Sequence, residues 1–381
     1  MEVLNQMINI VLILLLTAVL IIISLYYAIY TNIALKKNRI FLNKPKVYLF
    51  IPCKDNEKNL YKNIESYANQ DYKNYMVIFI TATADDPACS AIHEIVKKYS
   101  HCVHFVAGIN NDYSQKVNNI INATENYQDC DIFAFGDSDI CPNKEWLKNL
   151  ITPLKMKKIG ATTGYRWYWN QKRSFWQNVA IMWNGFVLFY MTIPFLRFIW
   201  GGSYAVRSDV FRNLNVRDIW HNVVTEDFTL SNAILKKGYR IHYVPQCLTV
   251  SLADFDSSSM FEWTTRQLML SKYYFRRVYF SSLIVGLFGL LLVVNISWAF
   301  ILGYVFLGFM LLRYVNITFN KIGCEIRVPY FMSVYILFSC ILLIANVVFS
   351  FVSNKIKWRG VTYRIISHNK MIVEKVNTKE E

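Results

Sequence analysis

Three long uncharged stretches limit what this chain can fold into more than any motif does. They are residues 8–30, 278–312 and 328–354. A helix of about 20 apolar residues crosses a hydrocarbon core of about 30 Å. Only backbone that satisfies its own hydrogen bonds survives there. The first run has no basic start and no small-residue cleavage site, so it is expected to be an anchor and not a signal peptide. Lys36, Lys37, Arg39, Lys44 and Lys46 follow it without an intervening acid. That bias places the next segment in the cytoplasm.

Asn295 and Ser297 interrupt 278–312 near its middle, which predicts two short spans folded as a hairpin, and 328–354 is long enough for another. The tail is basic (Lys355, Lys357, Arg359, Arg364, Lys370, Lys375, Lys379). One anchor and three later spans would put that tail outside, whereas its charge asks for the inside. The conflict disappears if 278–312 crosses once or one segment lies in the interface. A fourth uncharged run, 174–196, is broken by Gln177, Asn178, Asn184 and Pro194. It fits an interfacial or re-entrant helix beside a lipid-using site better than a full span, with a core helix as the competing reading. The expected division is an anchor and basic linker (1–44), a cytoplasmic domain (45–277), apolar helices (278–354) and a basic tail (355–381).

Between the apolar ends the pattern changes to alternating strands and helices. Residues 47–52, 76–80, 104–106 and 133–136 read as buried strands, with helical spacing over 56–68, 91–99 and 117–127. That alternation predicts a mostly parallel sheet flanked by helices. Such a sheet presents its chemistry at the carboxyl ends of its strands. Phe133-Ala134-Phe135-Gly136 runs straight into Asp137-Ser138-Asp139. Two hard oxygen donors on one loop suit Mn²⁺ or Mg²⁺ that takes its other ligands from a diphosphate. A solvated turn is the plainer alternative.

Thr225-Glu226-Asp227 opens a helix, where Thr225 can cap and the acids meet the favourable end of the dipole. A general base would want the same place, so the sequence alone leaves cap and base both open. No phosphate-loop or GxGxxG fingerprint is present. The eight cysteines are scattered without ligand spacing, as reduced packing residues are. The net charge of +15 flanks apolar segments and accompanies no nucleic-acid motif, so an anionic membrane surface is the simpler partner. The later spans carry no ionisable residue, which argues against an ion transporter.

These landmarks stand in one order: Pro52 with Lys54, Asn56 and Glu57; Asp85-Asp86-Pro87-Ala88; Lys116-Val117-Asn118-Asn119; Asp137-Ser138-Asp139; Gly202 to Phe211; Glu226-Asp227-Phe228; and Trp358-Arg359-Gly360 with Tyr363. The set resembles the membrane-bound inverting glycosyltransferases with a GT-A nucleotide-sugar-binding fold, most closely the ceramide glucosyltransferase family in its bacterial form. The resemblance spans about 45–365. It implies an α/β GT-A domain in the bacterial inner membrane, a UDP-sugar donor (UDP-glucose first) and a lipid hydroxyl as acceptor. It also implies a metal at Asp137 and Asp139, donor contacts from Lys54, Asp85, Asp86, Lys116, Asp137, Arg266 and Gln267, and acceptor contacts from Arg166, Trp167 and Gly202. Asp227 would be the base, with Glu226 beside it.

Two departures stand out. Met269 and Leu270 occupy the places of an Arg-Trp pair, with Arg266, Gln267 and Lys272 left to meet the diphosphate, and Thr83 stands where an aspartate is usual. The lost pair argues against a processive polymerase. It also motivates the competing reading of a degenerate, non-catalytic membrane scaffold, which the retained acids oppose.

Overall fold

The computed structural model describes residues 44–57, 59–110, 114–170, 173–294, 298–358 and 361–376, with six positions ahead of them (7, 11, 22, 26, 29 and 30). Those six are helical. The rest of the expected anchor, Lys36, Lys37 and Arg39, the interrupting Asn295 and Ser297, and Arg359 and Gly360 lie outside the described residues.

In chain order the first half runs β1 (Val47–Pro52), α1 (Leu60–Ala68), β2 (Tyr75–Thr81), α2 (Cys89–Lys98), β3 (Cys102–Val106), α3 (Gln115–Asn126), β4 (Ile132–Gly136) and α4 (Trp146–Ile151). It continues with β5 (Ile159–Tyr168), α5 (Phe175–Thr192), β6 (Ser203–Arg207), α6 (Ser208–Asn213), α7 (Val216–Trp220), α8 (Glu226–Lys236) and β7 (Arg240–Ser251). Then come α9 (Ser257–Tyr274), α10 (Arg276–Val294), α11 (Trp298–Lys321), α12 (Ile336–Val352), and β8 (Lys355–Trp358), β9 (Val361–Ser367) and β10 (Lys370–Val376).

Seven strands form one sheet in the order β3-β2-β1-β4-β6-β5-β7. All pairings in it are parallel except those of β6 with β4 and β5. β1 and β4 are continuous apolar runs because helices cover both faces of the sheet. Phe135 stacks on Tyr204 at 4.4 Å between ring centroids and on Phe50 at 5.4 Å, tying β4 to its neighbours. This is the mostly parallel, helix-flanked sheet that the α/β alternation predicts. The chain reverses between β1 and β4, so their carboxyl ends form the crevice where such sheets bind ligands. The antiparallel β6 brings its first residues to the same edge, pairing Ser203 with Gly136. The first helix starts at Leu60 and not at Asn56, because Asp55 and Asn59 take left-handed backbone and hold the preceding loop open.

α5 forms the core of the segment 174–196 expected at the membrane interface. Most of its residues are buried, packed between β5 and α12, with Phe195 exposed just beyond its end. Of its polar breaks, Asn184 is satisfied internally, accepting from the Tyr165 hydroxyl at 3.0 Å and donating to the Arg166 carbonyl at 2.8 Å, whereas both amide atoms of Gln177 and the Asn178 Oδ1 are buried without a partner. Among the described residues, Ile301–Lys321 and Tyr330–Val352 are long and apolar enough to cross a membrane. Phe280 and Ile284 on α10, Leu302 on α11, and Ile341, Val348 and Phe351 on α12 point outward as exposed apolar surface. The tail expected to be merely basic is instead a small antiparallel sheet, ordered β10-β9-β8. Ile356, Tyr363 and Ile365 bury its inner face, and Glu374 pairs with both Lys355 and Arg364.

Candidate active site

The loop after β4 is held from three sides. Tyr67 on α1 donates its hydroxyl to the Asp137 carbonyl at 2.9 Å, and Asn63 donates to the Ser138 carbonyl at 2.9 Å. The Asp137 amide donates to the Gly202 carbonyl at 3.2 Å. Gly202 is there because nothing larger fits: a Cβ on it would lie 2.3 Å from the Trp200 ring and 2.8 Å from Asp137 Oδ2. Both carboxylates are therefore fixed at the sheet edge and partly open to solvent. Arg166 at the end of β5 sits 3.9 Å from Asp139.

Behind this loop lies a buried charge cluster. Lys116, on the first turn of α3, places its Nζ 2.7 Å from Asp137 and 2.8 Å from Glu226. Burial works against the ammonium, but Asp137 and Glu226 outweigh it and keep its pKa above the ordinary lysine value. Glu226 is 1% exposed, and burial raises its carboxyl against the pull of Lys116. Asp227 is the next residue. Its Oδ2 accepts from the Gly201 amide at 3.0 Å, and its Oδ1 accepts from the Phe228 amide at 2.7 Å and from the Thr225 hydroxyl. Burial raises its pKa as well, and Thr225 and Lys116 hold it back. Thr225 thus serves Asp227 and makes no side-chain cap of its helix. Gly201 belongs to the same design, since a Cβ there would come within 2.7 Å of Glu226 and 3.2 Å of both Asp227 and Lys116.

Asp227 also lines a cavity of about 70 Å³. Arg166 and Gln267 join it at the polar end, while Trp183, Val187, Leu268 and Val278 make the apolar wall. The wall is thus built from α5, α9 and α10, the last of which carries the exposed apolar surface. The indole N–H groups of Trp183 and Trp263, both wall residues, are buried without a hydrogen-bond partner.

The structure brings Lys116, Asp137, Asp139, Arg166, Gly202, Glu226, Asp227 and Gln267 together. The other expected site residues are neither in the Lys116 cluster nor on the cavity wall. Trp167 is 0% exposed and absent from the cavity wall: it points to the opposite face of β5 from Arg166 and packs toward α5. Asp86 is a loop staple, its Oδ1 accepting from the amides of Asp55 and Ala88 at 2.9 Å each. Asp85 and Lys54 are exposed on the neighbouring loops, and the Thr83 hydroxyl holds the Asp85 carboxyl below its ordinary pKa. Lys272 is turned away from the crevice, donating to the Ser350 carbonyl at the end of α12. Met269 and Leu270 are buried. Arg266 lies under the ring of Trp358, 5.7 Å from its centroid. The sequence reading missed Trp200 and Trp263, because no local pattern marks residues that converge only through the tertiary fold.

The sheet order brings the acidic pair after β4 and the second acidic pair at the start of α8 to one crevice. A family profile, "Glycosyl transferase family 21", matches residues 15–371. The chain belongs to that family and is a glycosyltransferase. Among solved structures, it is similar to the mannosyltransferase PcManGT from Pyrobaculum calidifontis, in complex with GDP-Man and Mn²⁺. The identity is 13% and the TM-score 0.44, over 89% of this chain and 85% of that one. It is also similar to GalNAc-T7 with UDP, GalNAc and Mn²⁺, with 11% identity and a TM-score of 0.42 over 67% and 56% of the two chains.

Proposed function

We propose that this glycosyltransferase moves a hexose, glucose from UDP-glucose, onto the hydroxyl of a membrane lipid such as ceramide, with inversion. One observation carries the lipid reading: a single cavity joins the Asp227 carboxylate to an apolar wall made by α5, α9 and the first turn of α10. A water-soluble acceptor would have no use for that lining. The unpartnered indole donors of Trp183 and Trp263 suit oxygens on the acceptor, since a buried N–H left unpaired costs about 1–3 kcal/mol. Donor and lipid class rest on the family likeness.

In this reading the acceptor hydroxyl enters beside Asp227 and gives its proton to the carboxylate as its oxygen attacks the anomeric carbon. The bond from that carbon to the diphosphate breaks, and the nucleoside diphosphate departs. A base with a raised pKa, held by two backbone amides, keeps both its position and its appetite for a proton. Inversion needs no enzyme nucleophile. Asp137 and Asp139 fit a divalent ion as two hard oxygen ligands at an open loop. Among the described residues no group of three or more His, Cys, Asp or Glu gathers anywhere, so the donor's phosphates would have to complete the shell. Bound there, Mn²⁺ or Mg²⁺ would neutralise the charge growing on the leaving diphosphate. Lys116 holds Asp137 in place from behind.

The test uses membranes containing the wild-type chain or Asp227→Asn, incubated with labelled UDP-glucose, UDP-galactose or UDP-N-acetylglucosamine. Each is run with Mn²⁺, Mg²⁺ or chelator and with ceramide, diacylglycerol, a hopanoid or a polyprenyl phosphate added. Label in the lipid extract that needs the wild-type carboxylate supports the reading, and the product names the acceptor. No labelled lipid in any arm would refute it and favour the scaffold.

A further inference from the structure

Two hydrogen-bond donors in the cavity wall have no use within the protein. The hydroxyl groups of that wall are all engaged. Tyr165 donates to Asn184 Oδ1 at 3.0 Å, Ser271 donates to the Leu268 carbonyl at 2.7 Å, and Tyr190 and Ser282 meet each other at 3.4 Å. The indole N–H groups of Trp183 and Trp263 are the exception, each buried and without a partner. Both residues are more than nine-tenths buried, at 6% and 7% exposure. Trp183 stands on α5 and Trp263 on α9, two helices that pack on each other, so the donors reach one cavity from two elements. Trp263 is held in place edge-on against Tyr168, 5.2 Å between centroids, and against Phe255 at 5.4 Å. An indole nitrogen only donates. Burying it without an acceptor costs free energy that a phenylalanine at the same place would not incur. The wall is therefore complementary to an oxygen that only accepts.

We propose that Trp183 and Trp263 select the acceptor by its carbonyl oxygens: their indole N–H groups hydrogen-bond amide or ester oxygens on the same lipid whose hydroxyl is attacked beside Asp227. A carbonyl oxygen has lone pairs and no proton, so it satisfies a donor without bringing another into the cavity. A lipid alcohol without a carbonyl leaves both donors buried and unpaired, and a site built to hydrogen-bond a polar group rejects the analogue that lacks it. Val187, Leu268 and Val278 then take the hydrocarbon next to the acyl linkage. This selectivity rests on the proposed transfer to a lipid hydroxyl. It narrows the acceptor to an acylated alcohol, against a hopanoid or polyprenyl one.

The test gives the detergent-purified full chain, in mixed micelles with Mn²⁺ and the labelled UDP-sugar that wild type uses, two classes of acceptor. Ceramide and diacylglycerol carry a carbonyl; dialkylglycerol, a long-chain 1,2-diol and a hopanoid alcohol do not. Wild type should prefer the best carbonyl-bearing lipid by about a hundredfold in kcat/KM, about tenfold for each donor. Trp183→Phe and Trp263→Phe keep an aromatic ring and lack the N–H. Each should cut that preference about tenfold through the acceptor KM, and the double variant should abolish it, while UDP affinity measured by calorimetry does not move. A wild type that uses carbonyl-free lipids equally well overturns the proposal, even if neither variant folds. So do Phe variants that keep the preference, or that lose kcat/KM equally for both classes. Label in no lipid of either class, with UDP still bound, would instead overturn the lipid-transfer reading beneath it.

Discussion

Replacing Lys116 by methionine removes the one ammonium that joins Asp137 to Glu226. At 2.7 and 2.8 Å, each contact has a Coulomb energy of about 6 kcal/mol at an effective dielectric of about 20. Most of that gross attraction offsets the desolvation of Glu226 and, in part, of Lys116 and the half-open Asp137. Breaking a buried pair by removing one partner costs about 3–5 kcal/mol net, because the other charge stays buried alone. Glu226 already has a pKa raised by burial, and losing Lys116 lifts it further. A carboxyl whose folded pKa lies above its unfolded value loses stability as pH rises from the unfolded toward the folded pKa. The deficit of Lys116→Met should therefore be larger at pH 8 than at pH 5. Thermal unfolding followed by intrinsic tryptophan fluorescence reads this directly at both pH values, since Trp146, Trp167 and Trp220 are buried until the domain opens. Adding Glu226→Gln removes the stranded charge and should recover most of the loss. A deficit under about 1 kcal/mol, or one equal at both pH values, would refute the reasoning.

Three further outcomes follow from the same geometry. Gly202→Ala should cut kcat at least about tenfold, because its Cβ meets Trp200 and Asp137 at under 3 Å and the acidic loop must shift; steady-state kinetics check it. Val187→Phe, filling part of the 70 Å³ cavity, should raise acceptor KM several-fold and leave UDP affinity unchanged. In a pH–rate profile, activity should fall as pH drops through the raised pKa of Asp227, so the acid limb lies above the ordinary aspartate value of about 3.9. Thr225→Val removes a hydroxyl that favours the ionised form, and should move that limb to higher pH.

The parts of this fold that were legible in the sequence are those set by local pattern. The apolar run 133–136 ending in two aspartates reads as a strand delivering carboxylates, and it is one. The α/β alternation gave each of the first four strands and second and third helices to within two residues. The less legible parts depend on which face a residue takes or on what distant chain covers it. Arg166 and Trp167 are neighbours on one strand, but Arg166 lines the cavity whereas Trp167 is fully buried and packs toward α5. The polar breaks in α5 suggested an interfacial or re-entrant helix, and no local pattern foretells that Tyr165 and the Arg166 carbonyl satisfy Asn184. Charge dominated the reading of the tail and hid its strand-forming alternation of Val361, Tyr363 and Ile365. No sequence rule pairs Arg266 with Trp358, since that contact exists only once α9 and β8 meet.

The central claim is inverting transfer to a lipid, and the anomeric configuration of the product tests it most directly. The full chain, purified and placed in lipid vesicles, would be given UDP-glucose labelled with ¹³C at the anomeric carbon. Nuclear magnetic resonance of the extracted lipid should then show a single glucosyl lipid of configuration opposite to the donor's. A product of retained configuration, or label found only as free glucose in water, would contradict it.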